Sequence, residues 1–284
     1  MTLFLSVRTR DVGGPVRITP LLLEGDGDRP DALIPVRDAD IAPMLASRDL
    51  VFVTHGFNVD RINGTVSLGA LERYLALAPP ALVIGVLWPG DAWIPVVDYS
   101  VEGGVAEEAG RRLAGFCTDH ARAARSVSFI SHSLGARLVL EAVRHIDAPT
   151  VETICLTAAA VSGDCLTAGY GDAARKAQRL AVLASRRDLV LALAYPIGDP
   201  FTWLLHDDHT PFQAALGHAG PSLPAPEKLS GPTQIPFLFG YDHSDYLPPG
   251  APTALPPPAG TRWPAAADFM RRAALGQRQT WPPS

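Results

Sequence analysis

The chain has 284 residues, 47% of them hydrophobic, which is enough to bury one large core or two smaller ones. Its 24 basic and 29 acidic residues give a net charge of −5, and no Lys/Arg block stands out. This composition argues against nucleic acid and anionic membranes as partners. The N-terminus has no charged leader, no apolar run approaches the ~20 residues of a membrane span, and the cysteines are few. We therefore expect a cytoplasmic protein with free thiols and no stable membrane insertion.

The first residues favour strands at the edge of a sheet. The stretch "VRTRDVGGPVRITPLLL" has a Gly-Gly-Pro turn between two apolar runs, which is typical of a hairpin. We predict one or two antiparallel edge strands within residues 1–48.

Six apolar runs follow, and most are continuous rather than alternating, as in strands covered on both faces. They are "LVFVT" (50–54), "LVIGVLW" (82–88), "VSFIS" (127–131), "VETICLTAAAV" (151–161), "LAVLAS" (180–185) and "IPFLFG" (235–240). Segments of helical character separate them, which predicts an α/β fold with a doubly wound, mostly parallel sheet. We expect a single domain over residues 1–284, with a Pro-rich segment at 248–262 and a C-terminal helix at 264–276.

The stretch "SFISHSLGARLVLEA" carries the first chemical signal. Ser133 comes just after a predicted strand and just before a predicted helix, at the sheet edge where active sites of α/β folds gather. Ser131 and Gly135 are small flanking residues, as a sharp strand-to-helix turn requires. Ser133 could simply cap the helix. As a nucleophile, it would have the N–H of Leu134 beside it as a donor to an oxyanion.

The stretch "LVFVTHGFNVD" carries the second signal, because a loop after this strand can supply another oxyanion donor. Gly56 would allow close approach of the backbone, and the N–H of Phe57 would donate. We expect His55 and Asn58 to hold the loop and to border the substrate.

The segments "VFVTHGFN", "LWPG", "SHSLG" and "GYDHSDY" together resemble the α/β-hydrolase superfamily, and most closely its bacterial members of largely unassigned function with H-G-F-N, W-P and H-S-[LM]-G motifs. The resemblance covers residues 50 to about 247, and one departure is Ser131 where G-x-S-x-G has glycine. It implies the order nucleophile, acid, histidine. The acid would be Asp188, with Asp164 and Asp199 as rivals, and the histidine would be His243, after the last strand.

These residues predict a serine esterase without a cofactor, in which His243 activates Ser133 and Asp188 orients His243. The short gap before residue 180 leaves no room for a large cap. We expect the pocket for a small ester to include Trp88, Trp93, Tyr99 and Trp203. The alternatives are an acyltransferase, a thioesterase, a lactonase or a non-catalytic binding domain. We expect no metal site at His206–His209, and the sequence does not indicate the oligomeric state.

Overall fold

A computed structural model of the chain describes residues 2–91, 99–192 and 214–282. Its strands are β1 (Thr2–Arg8), β2 (Val16–Gly25), β3 (Ile34–Pro35), β4 (Asp49–Thr54), β5 (Ala81–Leu87), β6 (Ser126–His132), β7 (Val151–Thr157) and β8 (Arg179–Leu183). They form one eight-stranded sheet in the order β3-β2-β1-β5-β4-β6-β7-β8. The six strands β1-β5-β4-β6-β7-β8 pair with one another in parallel. The pairs β1–β2 and β2–β3 are antiparallel.

The helices follow the strands as the alternating pattern predicts. They are α1 (Asp38–Leu45), α2 (Arg61–Leu75), α3 (Tyr99–His120), α4 (Gly135–His145), α5 (Gly171–Lys176), α6 (Leu216–Ala219) and α7 (Trp263–Ala274). The carboxylate of Asp60 caps α2 by accepting a hydrogen bond from the N–H of Asn63 at 2.8 Å. The C-terminal helix, Trp263–Ala274, begins one residue earlier and ends two residues earlier than the predicted range of 264–276. Among the described residues, no helix combines the length and apolarity needed to cross a membrane.

The centre of the sheet is an apolar core covered on both faces. Phe52 on β4 and Phe129 on β6 are aligned in register, and their rings stack with centroids 5.6 Å apart. Both side chains are fully buried. The carboxyl ends of these two strands lead into the two loops that carry the predicted site, so the core fixes the distance between those loops.

The N-terminal strands differ in one respect from the prediction. β1 pairs with β2 through an antiparallel ladder, as expected, but its other edge pairs in parallel with β5. β1 is therefore an internal strand, and its residues are buried along their whole length. This position places Arg8, the last residue of β1, beside the carboxyl end of β5.

The prediction of a strand at residues 235–240 is wrong. Phe237–Phe239 form a 3-10 turn that starts after Pro236 and ends at Gly240, whose φ is +62°. The side chains of Phe237–Phe239 are exposed, that of Leu238 at 97%, so of this apolar run only Ile235 is part of the core. Proline removes a ladder donor and glycine adopts the left-handed conformation, and together they stop a strand from forming. Beyond β8, the described chain continues the sheet only through two isolated parallel bridges, Leu180–Leu229 and Ala184–Gln234.

Candidate active site

Ser133 lies on a strained turn between β6 and α4. Its φ is +54°, in the left-handed region that non-glycine residues rarely adopt. Three backbone bonds hold it there: its N–H donates to Thr157 O, and its carbonyl accepts from the N–H groups of Ala136 and Ala160, each at 3.1 Å. Strain of this kind persists only where surrounding contacts impose it, and it is common at functional sites.

Gly135 allows the turn to pack against the end of β4. A Cβ at this position would lie 2.3 Å from Thr54 Oγ1 and 2.5 Å from His55 O, so any side chain would push the turn away. Ser131, on the other flank, is buried, and its hydroxyl has no hydrogen-bond partner in the described part of the chain.

The structure brings Ser133, His243 and Asp188 into one chain of hydrogen bonds. His243 Nε2 lies 2.9 Å from Ser133 Oγ, and His243 Nδ1 lies 2.7 Å from Asp188 Oδ2. In this arrangement the imidazole carries its proton on Nδ1, because a carboxylate only accepts, and Nε2 is free to accept the proton of the serine hydroxyl. The geometry is that of a nucleophile, a general base and an orienting acid.

Asp188 is buried beside the imidazole of His243, and hydrogen bonds hold both of its carboxylate oxygens. Its side chain is fully buried, so Asp188 does not form a surface ion pair with a neighbouring arginine. Oδ1 accepts the N–H of Leu191 at 3.0 Å, so the carboxylate caps a helical turn over residues 189–192 while its other oxygen faces His243. The rival Asp164 instead accepts a hydrogen bond from the Ser162 hydroxyl at 2.5 Å. Asp199 lies outside the described residues.

His243 begins a short 3-10 helix, His243–Tyr246, rather than following a strand end. Asp242 caps this helix, and its carboxylate accepts the N–H of His243 at 2.8 Å. His132 supports the same residue from the sheet side: its Nε2 lies 2.8 Å from the carbonyl oxygen of His243, and the two rings are 4.8 Å apart. Sequence motifs give no sign of this contact, because His132 and His243 are 111 residues apart in the chain.

The loop after β4 packs directly against the serine turn. A Cβ on Gly56 would lie 2.7 Å from Ser133 Cβ and 2.9 Å from His132 Nδ1, so glycine is required for this approach. Phe57 follows immediately. Asn58 has φ +59°, and its N–H donates to Gly90 O at 2.5 Å. Gly56 therefore lies against Ser133, and the N–H of Phe57, in the next peptide, is a candidate donor to an oxyanion.

The second predicted donor belongs to the turn itself. Leu134 is the N-cap residue of α4 and is fully buried. The first N–H groups of a helix have no acceptor within the helix, and the helix dipole adds positive potential at that end. An anion that forms on a carbonyl attached to Ser133 would therefore lie close to favourable partial charges.

His55 and Trp88 support the loop from within. The indole N–H of Trp88 donates to His55 O at 3.0 Å, its backbone N–H points to His55 Nε2 at 3.3 Å, and the two rings stack with centroids 5.6 Å apart. The prediction that Trp88 lines an open pocket is wrong, because its side chain is fully buried. An accepting Nε2 leaves the proton on Nδ1, which donates to Gly56 O at 2.9 Å.

Burial keeps both supporting histidines neutral. It lowers the pKa of His55 from 6.5 to about 4 and the pKa of His132 from 6.5 to about 3, and the nearby His243 lowers the pKa of His132 further. Neither ring is suited to proton transfer at neutral pH. Their hydrogen bonds instead fix the loop and the 3-10 helix on either side of Ser133.

A groove of about 910 Å³ starts at Gly56 and His132 and runs over the loop that contains Asn58. Its walls come from α2, from the segment after His243, and from the start of α7. The Pro-rich segment supplies one wall, and the Ser67 hydroxyl fixes this segment by donating to Pro248 O at 2.6 Å. His55 and Asn58 are among the residues that line this groove.

The remaining predictions for the site concern Trp93, Trp203, Tyr99 and the segment His206–His209. Trp93 and Trp203 lie outside the described residues, as do His206–His209. Tyr99 is the first residue of α3. Within the described ranges, no group of three or more His, Cys, Asp or Glu side chains is arranged to hold a metal ion.

The sheet order and the turn that carries Ser133 define an α/β-hydrolase fold. Residues 40–215, more than half of the chain, match the family described as alpha/beta hydrolase of unknown function (DUF900), and the chain belongs to this family. Among solved structures, the crystal structure of esterase PE8 is similar to this chain at 17% identity with a TM-score of 0.42. The alignment covers 80% of this chain and 94% of the esterase chain. No curated protein matches the sequence.

Proposed function

We propose that this hydrolase cleaves carboxylic esters through an acyl-enzyme formed on Ser133. The observation that carries the proposal is the relay from Ser133 Oγ to His243 Nε2, at 2.9 Å, and from His243 Nδ1 to Asp188 Oδ2, at 2.7 Å. A serine hydroxyl is a poor nucleophile at neutral pH, and a base oriented in this way is the usual means of activating it. The strained backbone at Ser133 further supports a role in presenting the hydroxyl.

In the proposed reaction, Ser133 Oγ attacks the ester carbonyl carbon as His243 Nε2 takes the hydroxyl proton. Asp188 stabilises the resulting imidazolium and accepts a hydrogen bond from the Nδ1–H of His243, which fixes the orientation of the ring. The N–H groups of Phe57 and Leu134 donate to the carbonyl oxygen as it becomes negative. The intermediate collapses, the C–O bond to the alcohol breaks, and His243 returns the proton to the leaving oxygen. Water, deprotonated by His243, then releases the acid by the same route.

The surroundings of the site favour a small or medium ester. Only residues 158–178 connect β7 to β8, and they contain the short helix α5, so this connection supplies no large cap. The groove beside Gly56 is open and bounded in part by prolines, which suits one portion of such a substrate. We also propose Trp93, Tyr99 and Trp203 as pocket residues, because their positions in the sequence predict aromatic walls for the ester pocket.

Turnover of p-nitrophenyl acetate and butyrate tests the proposal. We expect hydrolysis by the wild type and a loss of about 10⁴-fold or more in kcat for Ser133→Ala. Ser131→Ala is the matched control, because it removes a buried hydroxyl two residues away that makes no hydrogen bond in the described structure. Equal activity of Ser133→Ala and the wild type would contradict the proposal. An active wild type that transfers the acyl group to an alcohol faster than to water would reassign the enzyme as an acyltransferase.

A further inference from the structure

Arg8 and Asp91 form a buried ion pair, and neither residue is among those that contact Ser133. The side chain of Arg8 is 1% exposed and that of Asp91 is 7% exposed. Arg8 Nη2 lies 2.6 Å from Asp91 Oδ1 and 2.8 Å from Oδ2. Burying two charges costs free energy unless their remaining hydrogen-bonding groups also have partners. The other hydrogen bonds of the pair therefore show which segments of the chain it joins.

Those partners are backbone groups from three segments. Arg8 Nη1 donates to Trp88 O at 2.6 Å and to Val59 O at 3.3 Å. The same guanidinium donates to Arg10 O at 3.1 Å and to Asp11 O at 2.9 Å, and Asp91 accepts the N–H of Gly13 at 2.8 Å. The pair thus joins the turn after β1, the end of β5 and the end of the loop after β4.

From there, two connections lead to the proposed oxyanion donor. Trp88, whose carbonyl Arg8 holds, donates its indole N–H to His55 O, two residues before Phe57. Gly90, next to Asp91, accepts the N–H of Asn58, one residue after Phe57. The peptide of Phe57 is therefore fixed from both sides by the segment that the ion pair anchors.

We propose that Arg8 is a positioning residue, which holds the loop of residues 55–59 so that the Phe57 N–H points at the developing oxyanion. This inference rests on the proposed function. Lysine cannot replace arginine here, because an ammonium group lacks the planar fork that reaches a carboxylate and four carbonyls at once. A loop displaced by a fraction of an ångström would weaken a donor that acts mainly in the transition state, and kcat would fall more than KM rises.

Two variants test this link, with one control. Arg8→Lys removes the fork, and Trp88→Phe removes only the indole donor to His55. Arg144→Lys makes the same chemical change as Arg8→Lys at the far end of α4, where Arg144 pairs with Asp172. For each protein, kcat and KM for p-nitrophenyl butyrate are measured per active site, titrated with a fluorophosphonate probe. Inhibition by an alkyl trifluoromethyl ketone reports the oxyanion contact, because its carbonyl becomes an oxyanion when serine adds to it.

We expect Arg8→Lys and Trp88→Phe to lower kcat by about tenfold to a hundredfold, with KM changed less than about twofold. The inhibition constant of the ketone should rise by the same factor as kcat/KM falls, and Arg144→Lys should leave all three unchanged. The inference is wrong if the two variants match Arg144→Lys per active site, if KM alone changes, or if neither variant folds. A wild type without esterase activity would refute the proposed function instead, before any variant is compared.

Discussion

Replacement of Asp188 by asparagine changes one atom at the centre of the proposed site. Both oxygens of Asp188 accept hydrogen bonds: Oδ1 from the N–H of Leu191 at 3.0 Å and Oδ2 from His243 Nδ1 at 2.7 Å. Asparagine has only one accepting oxygen. If this oxygen faces Leu191, the amide NH₂ faces His243 Nδ1 and forces the ring into the tautomer with its proton on Nε2. If it faces His243, the amide NH₂ opposes the Leu191 N–H and the helix cap is lost.

The first arrangement leaves His243 without a free Nε2 to accept the proton of Ser133. An asparagine in this position of a serine triad typically lowers kcat by about 10⁴-fold, which corresponds to ~5.5 kcal/mol of transition-state stabilisation. Asp188 is fully buried and the replacement is isosteric, so we expect a folded variant with a loss of this order. KM should change little, because neither carboxylate oxygen faces the substrate.

The assay is kcat for p-nitrophenyl acetate, with circular dichroism to establish folding. Asp164→Asn is the matched control, because Asp164 is the rival acid and accepts a bond from Ser162 instead. We expect this control to keep most of its activity. A folded Asp188→Asn variant within tenfold of wild type, or a larger loss for Asp164→Asn, would refute the assignment of Asp188.

Two further predictions concern the residues that support the site. Burial lowers the pKa of His55 to about 4 and that of His132 to about 3. Below pH 6.5 the unfolded chain therefore binds more protons at these two residues than the folded chain does. The free energy of unfolding should consequently fall as the pH drops from 6.5 towards 3. The urea midpoint of the wild type should decrease across this window and that of His132→Gln should decrease less; equal slopes would contradict the lowered pKa of His132. Gly56→Ala places a Cβ 2.7 Å from Ser133 Cβ and should lower kcat by at least about tenfold. Gly115→Ala is the control and should keep its kcat, because no atom other than the adjoining backbone of its own helix lies within 4 Å of the new Cβ. Equal kcat values for the two variants would show that the loop tolerates displacement.

Much of the fold follows from local patterns. Continuous apolar runs predict β4 to β8 because strands buried on both faces need apolar side chains throughout. The same rule fails at Phe237–Phe239, where the residues are apolar but Pro236 and Gly240 break the backbone pattern. Here the chemistry of the flanking residues decides the structure and the hydrophobicity does not.

The proposed catalytic residues follow from motifs, because the α/β-hydrolase pattern places nucleophile, acid and histidine in this order along the chain. The residues that hold them could not be named in this way. Arg8 is one arginine among many in the sequence, and only the parallel pairing of β1 with β5 brings it to Trp88 and Asp91. The sequence wrongly predicts a pocket wall at Trp88, since an aromatic residue at a strand end gives no sign of whether it faces solvent or the core.

The most direct test of the proposed mechanism is to locate the serine that reacts. The folded wild-type protein is incubated with a fluorophosphonate probe, digested, and mapped by tandem mass spectrometry. We expect one phosphonyl group per chain, on Ser133, and no labelling of Ser133→Ala. A label on another serine, or a folded protein that takes up no probe, would contradict Ser133 as the nucleophile.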